Sequence, residues 1–395
     1  MATLVGIGFS QDTDPVTAAK TAAREAQNNL NQERIDFVLF FHTSHYNPED
    51  ILPSLYDSFN TPKIIGSSSA GIILPHRVET RGVGAIAINS DDIKFEDGHV
   101  THLDLQDGFS AGEALVKECL TEFGSQNRKA LLFFIDGLYK YTTQFTRGVK
   151  KATQASFPIV GAGSSDAFHF EKTFQHFHNK SFTQSAVGIL IGGHVTVTTS
   201  CHHGWRPLGK PRTITKSENN IINTIDGKPA FSIYEEFFDQ DASSLKTNPL
   251  GPLSARYPLG IKLNGSNQYL LRNITSVLDD GSLVCQDSVL PNAEVHMMIG
   301  DTDSLLQATK KAAKELKENL SKNPPYLIII LESLARYKVL GRKAKKEINI
   351  IKDILGETVP VFGMYSHGET SFDITSPDPA QEHLRNASMS LLAFS

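Results

Sequence analysis

The chain has 395 residues, a net charge of −5 and ordinary apolar, glycine and proline contents, which predicts two domains or a little more, each with its own core. The negative balance argues against a general nucleic-acid binder, which needs a basic face to displace counterions. Cys119, Cys201 and Cys285 stand far apart with no CxxC pair; this excludes an obvious zinc module or disulfide framework and fits a reducing compartment.

Residues 1–9 (MATLVGIGF) form an apolar start without a basic leader and read as a first strand rather than a signal peptide. Phe37–Phe41 is a continuous apolar run, followed by a helix around Pro48–Phe59. Next come Ile64-Ile65-Gly66 and the small residues Ser67, Ser68, Ser69, Ala70 and Gly71. The same pattern returns at Ala130–Ile135, a helix around Thr143–Ala155 and Pro158-Ile159-Val160-Gly161, closing on Ala162, Gly163, Ser164 and Ser165. It returns again at Tyr326–Leu331, a helix around Lys343–Leu355 and Pro360-Val361-Phe362-Gly363, closing on Met364-Tyr365-Ser366-His367-Gly368-Glu369. Runs of five or six Ile, Val and Phe residues suit strands covered on both faces. The prolines end the helices and set up extended chain.

Between these units, Gly82–Asn89 reads as a strand. Thr173–Phe177 and Ala186–Gly193 read as a hairpin around Asn179-Lys180-Ser181, and Val195–Thr199 as a further strand. A polar segment, Lys210–Lys228, predicts the domain boundary. Beyond it the pattern predicts a helix at Pro229–Phe238, strands at Gln268–Ile274 and Ser282–Gln286, a long amphipathic helix at Ser304–Leu320 and a last strand at Ser388–Phe394. Lys310, Lys311, Lys314 and Lys317 read as the solvated face of that long helix. The expected fold class is α/β leaning to α+β: mixed β-sheets flanked by helices in two pseudo-related domains, 1–210 and 211–395. No stretch approaches the roughly 20 apolar residues of a membrane span, so the expectation is a cytoplasmic protein without membrane insertion.

Several stretches, in order, carry a family likeness. They are Gly66-Ser67-Ser68-Ser69-Ala70-Gly71, Pro158–Asp166, His203-Gly204-Trp205-Arg206-Pro207-Leu208-Gly209, Tyr257-Pro258-Leu259-Gly260, Tyr269-Leu270-Leu271-Arg272 and Gly363–Glu369. With this order and spacing the chain resembles a FIST protein over nearly its whole length, in both the N-terminal and C-terminal domains of that family. It departs where the family often has cysteine: Ser67 stands in the first turn, and Ser333-Leu334-Ala335-Arg336 replaces a Cys-x-x-Arg stretch. The resemblance implies a sensory, signal-transducing module that binds a small ligand, an amino acid or other small carboxylate, and signals through a separate partner protein. A haem-based nitric-oxide sensor is the alternative it leaves open.

The ligand-binding candidates follow. Gly66, Ser67, Ser68 and Ser69, and likewise Gly161, Gly163 and Ser164, offer backbone N–H groups and hydroxyls without bulk, which suits a carboxylate held in a nest. Arg272 and Arg336 can fork onto a carboxylate. Glu369 can take an amine, with His367 and Gly363 beside it. Each has a plainer reading as a tight turn or an internal ion pair. A serine hydrolase centred on Ser68 is disfavoured, because the G-x-S-x-G elbow lacks its last glycine at Ala70 and no helix follows. His169, His176 and His178 are haem candidates; His176 and His178 are expected to share one exposed strand face. Cys201-His202-His203 is weighed as a metal site. The expected catalytic residues, metal and cofactor are none.

Overall fold

The computed structural model describes residues 3–61, 63–121, 123, 127–154, 156–247, 252–263, 268–289, 291–320, 324–372 and 384–395. Unit one runs β1 (Leu4–Ser10), α1 (Pro15–Leu30), β2 (Phe37–Thr43), α2 (Pro48–Phe59), β3 (Ile64–Ser69), β4 (Ile72–Leu74), β5 (Arg77–Glu79) and β6 (Val83–Asn89). Unit two repeats it as β7 (Ile93–Val100), α3 (Gly108–Cys119), β8 (Arg128–Ile135), α4 (Thr142–Ala152), β9 (Ile159–Gly163), β10 (Gln175–Phe177), β11 (Lys180–Phe182) and β12 (Ala186–Gly193). Unit three opens with β13 (Val197–His202) and is then interrupted by an inserted sheet. The insert comprises β14 (Arg206–Glu218), β15 (Ile221–Ile225), β16 (Lys228–Pro229), α5 (Ser232–Phe238), α6 (Ser244–Thr247), α7 (Pro252–Arg256), β17 (Leu259–Lys262), β18 (Tyr269–Arg272), β19 (Ile274–Val277), β20 (Leu283–Cys285) and β21 (Glu294–Ile299). The unit resumes with α8 (Thr302–Asn319), β22 (Leu327–Ser333), α9 (Leu334–Leu340), α10 (Lys345–Leu355), β23 (Val361–Ser366), β24 (Glu369–Phe372) and β25 (Met389–Phe394).

Each unit builds one mixed sheet on a parallel pair, β2–β3, β8–β9 or β22–β23. Each sheet is completed by strands from another unit. The orders are β1-β6-β2-β3-β10-β11, then β7-β12-β8-β9-β24, then β13-β25-β22-β23-β4-β5. Unit one lends β4–β5 to unit three, unit two lends β10–β11 to unit one, and unit three lends β24 to unit two. The exchange closes on itself. The two domains are therefore related through one repeated unit, present twice in the N-terminal part and once in the C-terminal part.

The continuous apolar runs have the cause expected of them. Their inner faces share one central core, where Phe41 meets Phe134 edge-on at 5.4 Å and stacks on Phe362 at 5.2 Å. Their outer faces bury against α1–α2, α3–α4 and α8–α10 in three separate clusters. In units one and two the first helix sits tight on the first strand because a glycine faces it. A Cβ at Gly8 would lie 2.0 Å from the Ala22 carbonyl oxygen, and at Gly98 it would lie 2.8 Å from Cys119 N. Gly8→Ala is expected to destabilise by roughly 1–3 kcal/mol, because backbone cannot yield to the added methyl as a side-chain tip could. A urea midpoint within error of the parent would refute this.

The edge strand β1 is closed to further pairing. The Phe9 N–H donates to Glu25 Oε2 at 2.8 Å, and Asn29 Nδ2 donates to the Ile7 carbonyl at 2.7 Å.

Two expectations need correction. Ala186–Gly193 does not form a hairpin with Thr173–Phe177: β10 turns directly into β11, and β12 lies between β8 and β7 in another sheet. His176 and His178 share no exposed face, because the strand stops at Phe177. His176 is buried, and His178 takes a left-handed backbone (φ 54°) and pairs with Asp97 at 2.8 Å. The polar segment 210–228 is most of β14, whose side chains are mostly exposed, and β15, whose side chains are half-buried or buried.

Candidate functional site

Register aligns the three glycine turns. Gly66, Gly161 and Gly363 stand opposite Phe40, Phe133 and Ile330 at equivalent points of their parallel pairs. Four residues on, the backbone N–H of Ala70 donates to the Tyr365 carbonyl at 3.1 Å. That of His367 donates to Gly163 at 3.0 Å, and that of Ser165 to Ser68 at 3.0 Å. These bonds form a closed ring in which each turn grips the next. The turns thus come together at one junction, and Ser67, Ser69, Ser164 and Ser366 are wholly buried there. Ser67 Oγ meets Ser164 Oγ at 2.7 Å, and Gln175 Nε2 donates to Ser164 Oγ at 2.9 Å. Ser68 Oγ accepts from the Phe174 N–H at 3.0 Å.

Unit two breaks the symmetry. Ile72 and Glu369 stand six positions after their glycines, whereas their register equivalent Gln175 stands fourteen after its own. The extra residues form a loop, 166–174, laid over His367. The imidazole is buried beside Phe168 and Phe170, with ring centroids at 5.3 and 4.9 Å; the two phenyl centroids lie 5.6 Å apart, so the three nearly parallel rings cluster as a triangle. Ala167, Phe168 and Phe170 all take left-handed backbones (φ 62°, 71° and 56°), a conformation that non-glycine residues adopt at a cost. Burial pulls the His367 pKa down to about 4, against a smaller opposing pull from Asp166, so the ring is neutral. Its Nε2 accepts from the Phe168 N–H at 3.3 Å, which puts the proton on Nδ1. Among the described residues that buried Nδ1 has no partner, and neither does Asp166 Oδ1, which lies 3.7 Å from Nε2. The other Asp166 oxygen accepts from the Glu171 and Lys172 N–H groups.

Glu369 lies wholly buried two residues beyond His367. Burial raises its pKa to about 8, although Ser366 and Ser388 hydrogen bonds oppose the shift. The geometry agrees. Ser366 Oγ lies 3.0 Å from the Glu332 carbonyl and 2.5 Å from Glu369 Oε1. One hydroxyl proton cannot serve two acceptors, so a protonated Glu369 donating to Ser366 satisfies both contacts. Arg336 and Arg272 are also wholly buried, each among protein acceptors. Arg336 Nε bonds Glu332 at 3.0 Å, Nη1 bonds the His203 carbonyl at 2.5 Å, and Nη2 bonds Thr309, the Leu305 carbonyl and Glu347. Arg272 bonds the carbonyls of Ser288, Leu271 and Leu384.

Family models match the FIST N domain over residues 36–228 and the FIST C domain over 230–371. The chain belongs to the FIST family. FIST domains are sensory rather than catalytic and usually signal to partners. A segment of 87 residues is 28% identical to the uncharacterized protein MJ1623 of Methanocaldococcus jannaschii, covering 22% of this chain and 17% of that one. The chain thus spans under a fifth of that relative. Among solved structures, cyanuric acid hydrolase from A. caulinodans aligns at a TM-score of 0.38 and 5% identity, covering 100% of this chain and 99% of that one. PurLQS from Thermotoga maritima aligns at 0.23 and 11%, covering 99% and 72%. Scores this low carry no argument. No helix among the described residues is long and apolar enough to cross a membrane.

In this FIST chain, Ser67 and Ser333 hold the structure together. Ser67 joins the first turn to the second. Ser333 caps α9, its Oγ accepting from the N–H groups of Ala335 and Ala387 at 3.3 and 3.2 Å. Two residues escaped the sequence reading. Asp166 was quoted only as the end of a glycine turn, and His42 was not singled out. His42 Nε2 meets His176 Nε2 at 2.9 Å in the core; burial lowers the His42 pKa to about 4 and that of His176 well below its ordinary value. No spacing rule marks His42, because its partner lies 134 residues away. Cys201 and His202 bond Ser390 and Glu315 respectively, and no cluster of three or more potential metal ligands occurs among the described residues. His169 is exposed.

Proposed function

We propose that the chain is a sensor for a small amphoteric ligand, such as an amino acid, held at the turn junction beneath loop 166–174, and that it hands its signal to a separate partner protein. One observation carries this reading: the buried pair His367–Asp166, with one unpartnered atom each. His367 Nδ1–H asks for an acceptor and Asp166 Oδ1 asks for a donor, and a carboxylate and an ammonium on one carbon supply both. An unmet buried polar group costs roughly 1–3 kcal/mol, so meeting two favours the bound form. Entry requires loop 166–174 to lift, and its three left-handed residues give it less to lose on moving. The ring of bonds at the junction spans all three units, so a ligand there biases how they are locked. Ser67, Ser68, Ser69, Gly161, Gly163, Ser164, Gly363 and Glu369 supply that ring or its surroundings; Arg272 and Arg336 brace the walls.

A thermal-shift screen of the amino acids and small carboxylates tests this. Ligand at a hundred times its Kd is expected to add about 2.7 kcal/mol and raise the midpoint, and Asp166→Asn and His367→Phe are expected to abolish the shift. If no compound raises the midpoint of the parent chain, the reading fails.

A further inference from the structure

Units one and two can be compared position by position, and at one seam they differ. In unit two, the first strand is knitted to the hairpin that the unit lends away and to the start of β3. His99 stacks on Phe177 at 4.3 Å, His178 pairs with Asp97 at 2.8 Å, and Lys63 bonds Glu96 at 2.8 Å. Register places Phe9 where His99 stands, Ile7 for Asp97, Leu74 for Phe177 and Pro75 for His178. With these side chains no stack or ion pair of that kind can form. The seam stands open as a groove of about 590 Å³ between β1, α1, the β4–β5 hairpin and the segment joining α10 to β23.

The groove is apolar with one buried cation. Val5, Ile7, Phe9, Leu74 and Val359 line it, and so does Lys352 from the last turn of α10. Lys352 is only 4% exposed. Among the described residues its ammonium meets one polar partner, His76 Nδ1 at 3.5 Å, and no carboxylate within ion-pair distance. The α10 C-terminus favours a cation there, but only by about 0.3–1 kcal/mol, less than the cost of removing an ammonium from water. The missing partner is an anion. Glu25, Glu357 and Arg77 also line the groove; Arg77 lies over the Phe9 ring and is already paired with Glu79 at 3.1 Å, and the two carboxylates repel a dianion such as phosphate more than a singly charged head. From Val5 to Phe9 the wall runs roughly 13 Å at about 3.3 Å per residue, room for a medium-length chain.

We propose that this groove binds an apolar monocarboxylic acid, with its carboxylate on Lys352 and its chain along Val5, Ile7 and Phe9. The site is separate from the turn junction, and its ligand needs no amine.

Calorimetric titration of the unmodified chain with octanoate, octanol and octylamine tests the assignment. Octanoate is expected to bind saturably at one site, with octanol and octylamine at least about tenfold weaker, the tenfold being roughly 1.4 kcal/mol of head-group interaction. Lys352→Met is expected to cost octanoate about the same factor. Leu74→Phe, which imitates the filled seam of unit two, is expected to remove binding of all three, while His367→Phe leaves octanoate binding unchanged. Absence of saturable octanoate binding overturns the proposal, and so does octanol binding as tightly as octanoate. The head-group series uses the parent chain, so it decides even if Lys352→Met fails to fold.

Discussion

Arg336→Met is expected to destabilise the C-terminal domain by roughly 3–5 kcal/mol, the usual cost of breaking a buried ion pair by removing one partner. Arg336 is the one cation among two buried carboxylates, Glu332 and Glu347, whose side chains are each 2% exposed. Burial, and then the neighbouring Glu347, push the Glu332 pKa well up. Burial works against charge on Arg336, but Glu347 and Glu332 more than offset it and hold its pKa above the ordinary value. Removing the guanidinium strands the Glu347 charge. It also frees the Leu305 and His203 carbonyls, which tie α8 and the start of the inserted sheet to α9. Arg336→Lys keeps the charge without the fork and is expected to lose less. Adding Glu347→Gln to Arg336→Met is expected to recover part of the loss, because the stranded charge is gone. Urea unfolding checks all three. A loss under about 1 kcal/mol for Arg336→Met would mean that the triad is worth no more than an exposed pair.

Much of the fold was legible, and for a physical reason. A strand buried on both faces needs an unbroken apolar run, so β2, β8 and β22 stand out, as do the helices that cover them. The exchange of strands was not legible. Ile72–Leu74 is too short to have periodicity, and its partner β23 lies about three-quarters of the chain away; only the assembled register reveals it. The same distance hid the pairing of β12 with β7 and β8, since sequence reasoning prefers the nearest strand and β10 was near. At the site, the three glycine turns could be read as a repeat, because each parallel pair places a glycine at the same register. What makes them unlike each other could not. Loop 166–174 becomes an insertion only once Gln175, Glu369 and Ile72 are seen to be equivalent. Arg336 read as a ligand contact because a guanidinium suits carboxylates; the carboxylates it meets are the protein's own.

Stability is expected to peak near pH 6.5 and fall on both sides. Three histidines set the acid limb. His42, His176 and His367 are buried and neutral, with pKa values of about 4 for His42 and His367 and well below ordinary for His176. Unfolded, each binds a proton below about pH 6.5. Their stabilising contribution is therefore full above that pH and is lost as the pH falls toward 4. Glu369 sets the alkaline limb with the opposite sign. Its folded pKa of about 8 lies above the unfolded value near 4.3. Its contribution is therefore full below the unfolded value and drains away as the pH rises through 8. Between about pH 4.5 and 6.5 the limbs compete, and three histidines outweigh Glu369 and Glu332. Above about pH 6.5 the histidines no longer change, and Glu369 is expected to cost about 2 kcal/mol by pH 8, at roughly 1.4 kcal/mol per pH unit, with Glu332, whose pKa is also raised, acting in the same direction. Glu369→Gln keeps a neutral hydrogen-bonding group and is expected to make that limb shallower by the Glu369 share while leaving the acid limb intact. His367→Phe keeps an aromatic ring beside Phe168 and Phe170 and is expected to make the acid limb shallower by one proton. Urea unfolding at half-unit pH steps reads both slopes. If Glu369→Gln declines between pH 6.5 and 8 as steeply as the parent, then Glu369 is ionised in the fold, and its proton does not bridge Ser366 at the lock between units two and three.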